Sequence, residues 1–261
     1  MTGNSLTYPP LHSRLYSIWF RHFRVYTRNL VSNGLPPFLE PLIFLVGIGL
    51  GLGQYIDRME GVSYLPYLAS GLLVTTSMYT AAFECSFATF IRLEFDKVYD
   101  GMLGASISAE DLIIGEILWA GTKGFFFSLA VLVIVVSFGI LPVASTLPAP
   151  IVGFFTGIMF GAFSLFITSF VKTINHFNFY MTGFLSPMFF FSGVVFPLNR
   201  LPAVVRPLSE VLPLTHSVRL VRDVSLFSFD LLSLWSIAYI LLFIVVFGYL
   251  AVVRLKKRLI S

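Results

Sequence analysis

Apolar runs separated by short polar stretches set the pattern of this chain. Six of them, Leu35–Gly53, Tyr67–Ile91, Leu112–Ile140, Ile151–Phe170, Phe179–Phe196 and Leu231–Val253, are each close to or above the length that crosses a bilayer as a helix. Ahead of the first run, Leu11, Leu15, Ile18, Trp19, Tyr26 and Leu30 share one helical face, while Arg14, Arg21 and Arg28 recur on another. That pattern predicts an amphipathic helix lying in the membrane interface, with Trp19, Phe20 and Phe23 at headgroup level and its arginines facing anionic lipid or a cytosolic partner. Between the fifth and sixth runs, prolines at 197, 202, 207 and 213 forbid one continuous helix, because each removes a backbone donor and clashes with the preceding turn. There Leu201, Val204, Val205, Leu208 and Leu212 oppose Arg206, Ser209 and Glu210, which predicts a short amphipathic helix from about Pro202 and a second from about Thr215. The expected fold is an all-α integral membrane protein: six transmembrane helices, an N-terminal interfacial amphipathic helix, and short, re-entrant helices between spans 5 and 6. It forms one domain, with the amphipathic helix in 1–34, the six-span core in 35–253 and a basic tail in 254–261.

Composition supports the bilayer as solvent. Hydrophobic residues make up 57% and charged residues 11%, against about 25% charged in soluble domains. Basic residues divide eleven to five between alternate sides, which puts both termini in the cytoplasm. The exceptions, Arg200, Arg206, Arg219 and Arg222, lie in the proline-rich segment, where they either pair with Glu210 and Asp223 or guard the outer mouth of a path. The formal charge of +4 is modest and concentrated at the ends, so a membrane surface rather than nucleic acid is the expected partner. Arginines at 14, 21, 24 and 28 break any leader-like run, and no cleavable signal is expected. The single cysteine, Cys85, excludes an internal disulfide. There is no G-x-x-x-x-G-K-[ST] run to cradle a nucleotide, and His12, His22, His176 and His216 are scattered. The reading is therefore no catalytic residue, no metal ligand set and no cofactor bound by this chain.

Three ionisable residues fall inside spans: Glu84 in the second, and Glu116 and Lys123 in the third. A Lys or Asp at mid-bilayer costs about 2.5–3.5 kcal/mol on insertion scales, so such residues mark partners or wet paths. Glu116 and Lys123 share a face, and antiparallel spans bring Glu84 between them in depth, so a Glu84–Lys123 ion pair is expected. It serves either to lock two helices or to relay a proton; no acidic ladder continues elsewhere, which disfavours a proton-driven carrier. If the second and fifth spans line a central path, Thr75, Tyr79, Phe83, Met188, Phe189 and Ser192 form an apolar wall suited to an amphipathic or lipid-linked substrate. In the first span, Pro36, Pro37 and Pro41 surround Glu40, and alternating Gly47, Gly49, Gly51 and Gly53 predict close helix packing. A polar loop with Asp57, Arg58 and Glu60 follows.

The stretch SGVVFPLNRLPAVVRPLSEVLPLTH adds a family likeness. Its Ser192-Gly193, Phe196-Pro197-Leu198, Leu201-Pro202 and Leu212-Pro213-Leu214-Thr215-His216, in that order within one loop, resemble the segment before the last span in transmembrane subunits of type-2 ABC exporters, in particular the NodJ-like branch. With the size and six-span layout, the resemblance covers nearly the whole chain. It implies a permease subunit in the bacterial inner membrane that pairs with a second copy of itself and with two separate ATP-binding subunits, which hold ATP and Mg. It also implies a coupling helix at Arg92–Met102, where Arg92, Glu94, Phe95, Asp96, Lys97 and Tyr99 would meet those subunits. Nodulation-type relatives are associated with lipo-oligosaccharide export, while drug or lipid export stays open. The competing readings are a polysaccharide-exporting permease with a sugar-stacking channel, an ATP-independent carrier or channel, for which inverted repeats are missing, and a membrane enzyme or scaffold.

Overall fold

The computed structural model describes residues 9–56, 58–59, 61–105, 107–226 and 229–260. Asp57 and Glu60 of the expected polar loop, and residues 1–8 and 261 of the two end segments, lie outside the described residues, as does the Glu40 side chain. The regular structure of the described residues is all helical, apart from an isolated bridge between Met59 and Val62. In order the helices are α1 (Leu11–Arg28), α2 (Leu30–Gly53), α3 (Tyr64–Phe83), α4 (Val98–Leu103), α5 (Ala109–Ser137), α6 (Ala149–Thr168), α7 (residues 176–191), α8 (Val205–Val211), α9 (Pro213–Leu226) and α10 (Leu231–Ile260).

Among the described residues, four stretches are long and apolar enough to cross a membrane: Leu30–Gly53, Ala109–Ser137, Val143–Thr168 and Leu231–Leu259. The expected second and fifth spans are helical but of different character. Helix α3 carries Thr75, Thr76, Ser77 and Thr80, is buried along most of its length, and continues into the wide turns Glu84–Ala88 and Ile91–Phe95. Helix α7 is three short pieces, His176–Tyr180, Met181–Leu185 and Ser186–Phe191, and stops short of the expected Phe196. It stops because the chain turns at Gly193, whose φ of +82° is a conformation that glycine adopts without steric cost. At the other end, α10 runs on to Ile260, so the basic residues expected as a separate tail are helical turns. Their charges have partners there: Lys256 Nζ lies 2.6 Å from Glu110, and Arg258 reaches Glu94 at 2.7 Å and the carbonyls of Thr168 and Val171.

The short helices α8 and α9 form where the prolines predicted a break, but α8 begins at Val205 rather than Pro202 and α9 at Pro213 rather than Thr215. The expected apolar face of α8 is divided: Val204 is 79% and Leu208 64% exposed, while Leu201, Val205 and Leu212 are half-buried and Ser209, from the expected polar side, is buried. The Ser209 hydroxyl donates to the Val205 carbonyl at 3.2 Å, and the Ser209 carbonyl accepts from the Thr215 hydroxyl at 2.6 Å, tying α8 to α9. The arginines of this segment divide their work. Arg219 pairs with Glu210 at 2.6 Å, whereas Arg222 donates to the carbonyls of Gly193 and Tyr67 and lies 3.7 Å above the Tyr67 ring, fastening α9 to α3.

At the centre, α5 and α6 approach backbone to backbone. A Cβ at Gly124 would sit 2.6 Å from the Gly153 carbonyl oxygen, one at Gly157 2.7 Å from the Ala120 oxygen, and one at Gly161 2.7 Å from the Ala120 Cβ. Small residues four apart thus make a seam in which dispersion contacts replace the hydrophobic drive that lipid cannot supply. This corrects the expectation for α2: Gly47 and Gly51 have nothing within 4 Å, and only Gly49 is crowded, by the Leu65 side chain. Helix α5 starts on a capping box, with Asp111 N–H donating to Ser108 Oγ at 3.1 Å and Ser108 N–H to Asp111 Oδ2 at 2.9 Å.

Replacing Gly157 or Gly124 by Leu is expected to lower stability in detergent by about 1–3 kcal/mol or more through overpacking, with a fall in melting temperature. Gly51→Ala, where the structure offers open space, is expected to leave the melting temperature unchanged; equal behaviour of the two classes would contradict the seam.

Candidate functional site

A helix bundle of this apolarity should avoid charge inside, yet five elements deliver ionisable side chains to one buried point. Helix α3 ends in the wide turn that carries Glu84, the next wide turn brings Arg92, α4 brings Tyr99, α5 brings Glu116 and Lys123, and α1 brings His22. Arg92 occupies the middle. Its Nη1 donates to Glu84 Oε1 at 2.7 Å, its Nη2 to Glu116 Oε2 at 2.9 Å and Thr89 Oγ1 at 3.2 Å, and its Nε to the Tyr99 hydroxyl at 3.2 Å. Tyr99 in turn donates to Glu116 Oε1 at 2.7 Å, and His22 Nε2 lies 3.0 Å from the same oxygen. Lys123 Nζ donates to the other Glu84 oxygen at 2.8 Å, the pair expected from the spans. Glu116 is 1% and Tyr99 0% exposed. Two carboxylates therefore face one guanidinium and one ammonium, and this balance lets four charges share an apolar interior.

Sequence reasoning missed His22, grouped there with scattered histidines. The signal was present: Ile18, His22 and Tyr26 are four apart and fall on the buried side of α1. His22 stacks on Trp119 at 5.7 Å, Ile18 fills the space above Gly115, Trp19 donates to Thr122 at 2.9 Å, and Arg14 pairs with Asp111, so α1 is fastened along α5. Donor atoms of His22, Glu84 and Glu116 lie within 4.8 Å of one another, a spacing that could hold a metal. Arg92 and Lys123 already answer both carboxylates, however, and a divalent ion would add two charges to a balanced site.

The segment expected to form one coupling helix at Arg92–Met102 is broken. Lys97, at φ 51°, separates the turn Ile91–Phe95 from α4; a left-handed lysine costs about 1–2 kcal/mol. Two of the residues assigned to a partner surface, Arg92 and Tyr99, point inward to the ion cluster, because each has a buried carboxylate to satisfy. Glu94 pairs with Arg258 of α10. Phe95, 65% exposed, and Asp96 and Lys97 remain on the surface.

The expected path residues separate into two groups. Thr75, Tyr79 and Phe189 line a cavity of about 270 Å³ between α2, α3 and α7, with Phe44, Leu72 and Phe190. Tyr79 and Phe83 also line a larger cavity of about 470 Å³, which reaches Lys123, Asn33 and Tyr26. Met188 and Ser192 are 1% exposed, line neither cavity, and are taken up in packing near the turn at Gly193.

Comparison with known proteins places this geometry in context. A family model described as ABC-2 type transporter matches residues 13–226. Nodulation protein J of Sinorhizobium fredii is 32% identical over 245 residues, 94% of each chain. Nodulation protein J of Rhizobium leguminosarum bv. trifolii is 32% identical over 261 residues, the whole of both chains. The inner membrane transport permease YadH of Escherichia coli is 24% identical over 204 residues, 78% of this chain and 79% of that one.

Lys123→Met leaves Glu84 short of one partner, and the expected cost is about 3 kcal/mol, the lower end for breaking a buried pair. The double variant Glu84→Gln/Lys123→Gln removes one charge of each sign and is expected to recover part of that loss. Unfolding midpoints in a denaturing-detergent titration of the single and double variants measure the difference.

Proposed function

The chain belongs to the ABC-2 type transporter family, and on that premise we propose that it is the transmembrane subunit of an ATP-driven exporter. Two copies work with two separate ATP-binding subunits, which hold the ATP and Mg. The four long apolar helices, with α3 and α7, make six spans in the bacterial inner membrane, and the eleven-to-five division of basic residues puts both termini in the cytoplasm. Helix α1 lies in the cytoplasmic interface, with Tyr16, Phe20 and Phe23 exposed toward headgroups and lipid.

The observation that carries this reading is the segment from Ile91 to Leu103. It presents Phe95, Asp96 and Lys97 on the surface, while Arg92 and Tyr99, a few residues away, are rooted in the ion cluster of α3 and α5. A push on Phe95 is thereby delivered to the spans through short charged hydrogen bonds rather than through a loose loop. The substrate is amphipathic or lipid-linked, a reading supported by the largely apolar walls around Thr75, Tyr79, Phe83 and Phe189.

Affinity purification of the chain in nanodiscs is expected to recover a nucleotide-binding subunit in equal copy number, with ATPase activity. Phe95→Ala/Asp96→Ala is expected to keep expression and melting temperature while reducing transport at least tenfold. A chain that purifies alone without ATPase activity, or a double variant that transports normally, would contradict the assignment.

A further inference from the structure

The cavity of about 470 Å³ and the ion cluster share one residue, Lys123. The cavity is bounded by the α1–α2 elbow, α3, α5 and α7. The elbow is held by a reciprocal clamp: the Tyr26 hydroxyl donates to the Asn33 carbonyl at 2.7 Å, and Asn33 Nδ2 donates to the Tyr26 carbonyl at 2.8 Å. Among the described residues lining it, Lys123 is the one formal charge; the other polar groups are hydroxyls and an amide. An ammonium has three donors. One is used on Glu84, and the aromatic rings of Tyr26 and Phe127 lie 5.5 and 5.8 Å from Nζ. The smaller cavity adjoins the larger one, since Thr76 and Tyr79 line both, and there the walls become apolar with Pro41, Phe44 and Phe189. A chamber whose largely apolar walls carry a cation, hydroxyls and an amide thus lies beside a greasier one along a single face of α3.

We infer that these adjoining cavities together bind an amphipathic anion, its phosphate or carboxylate head on Lys123 and its alkyl tail passing Thr76 to lie along Phe44 and Phe189. We further infer that Lys123 reports occupancy to the surface segment at Phe95. The report is contiguous: Lys123 to Glu84 at 2.8 Å, Glu84 to Arg92 at 2.7 Å, Arg92 to Glu116 at 2.9 Å, and Tyr99 to Glu116 at 2.7 Å. An anion on Lys123 competes with Glu84 for its donors, and Glu84 then leans more fully on Arg92, the residue that holds Tyr99. Because coupling between two sites is reciprocal, movement of the Phe95 segment changes anion affinity by the same factor. The binding half stands on this chain alone; the reporting half rests on the exporter reading above.

Dodecyl phosphate binding to the purified chain in nanodiscs, followed by competition calorimetry, tests the site. Thr76→Trp, which fills the shared wall, and Glu84→Gln/Lys123→Gln, which keeps the cluster neutral, are each expected to weaken binding at least tenfold, with melting temperature confirming the fold. Gly51→Ala is expected to bind as the parent does. Unchanged binding in both cavity variants overturns the site. Equal binding of dodecyl maltoside or dodecyltrimethylammonium overturns the anionic head, and equal competition by inorganic phosphate overturns the need for a tail. In the assembled complex, dodecyl phosphate is expected to change ATPase activity at least twofold in the parent and not in the Thr76→Trp variant. A complex that forms and hydrolyses ATP with no such response overturns the reporting role and leaves the exporter reading standing. Failure to recover an ATPase overturns the exporter reading and the reporting role with it, while the site on Lys123 is decided by the dodecyl phosphate affinities of the chain alone.

Discussion

Charge balance in an apolar interior is the constraint from which the rest of this structure follows. Arg92 can sit among helices of this composition because Glu84 and Glu116 each give it an oxygen, and Glu84 can give one because Lys123 takes up its second. Glu84 and Arg92 come from successive turns after α3, but Glu116 and Lys123 come from α5, so the two segments must dock in one register for the charges to cancel. A helix displaced by one turn, about 5.4 Å, would leave a carboxylate or a guanidinium without its partner. Buried polar groups of this kind give little net stability but select one arrangement among many apolar ones.

The same cluster explains why the amphipathic N-terminal helix belongs to the bundle as well as to its surface. His22 brings α1 to the Glu116 oxygen that also receives Tyr99, and Ile18 can lie against α5 because residue 115 has no side chain. The elbow that follows is clamped by Tyr26 and Asn33, and so the wall of the larger cavity, the buried charges and the exposed Phe95 segment are parts of one connected body.

Much of this was legible in the sequence, for physical reasons that also mark where legibility ends. Long apolar runs and prolines are local signals, and they gave the helices and the break between α7 and α10. The Glu84–Lys123 pair was legible because antiparallel spans convert sequence position into depth. Arg92 and Tyr99 were misread as surface residues, since a stretch rich in charge next to a span looks solvated until its partners across the bundle are known. His22 was hidden for the converse reason: its partner, Glu116, lies far along the chain on another helix. The glycines of α2 hold the same spacing by four, Gly47 to Gly51 and Gly49 to Gly53, yet no helix backbone lies against them as α5 lies against Gly157 of α6, a difference that spacing alone does not reveal. On α8 the amphipathic rule held only in part, because a helix of seven residues packs chiefly on one neighbour and leaves Leu208 and Val211 exposed while Ser209 is buried.

The glycine seam between α5 and α6 has a mechanical corollary. With the Gly153 oxygen under Gly124 and the Ala120 oxygen under Gly157, neither helix can slide past the other without lifting a carbonyl over an α-carbon. Small shear is therefore blocked, and the next permitted register lies a full helical turn away. The two helices travel as a single strut. Whatever rearrangement the bundle undergoes must be taken up elsewhere than between α5 and α6, which makes the seam the fixed axle of the molecule.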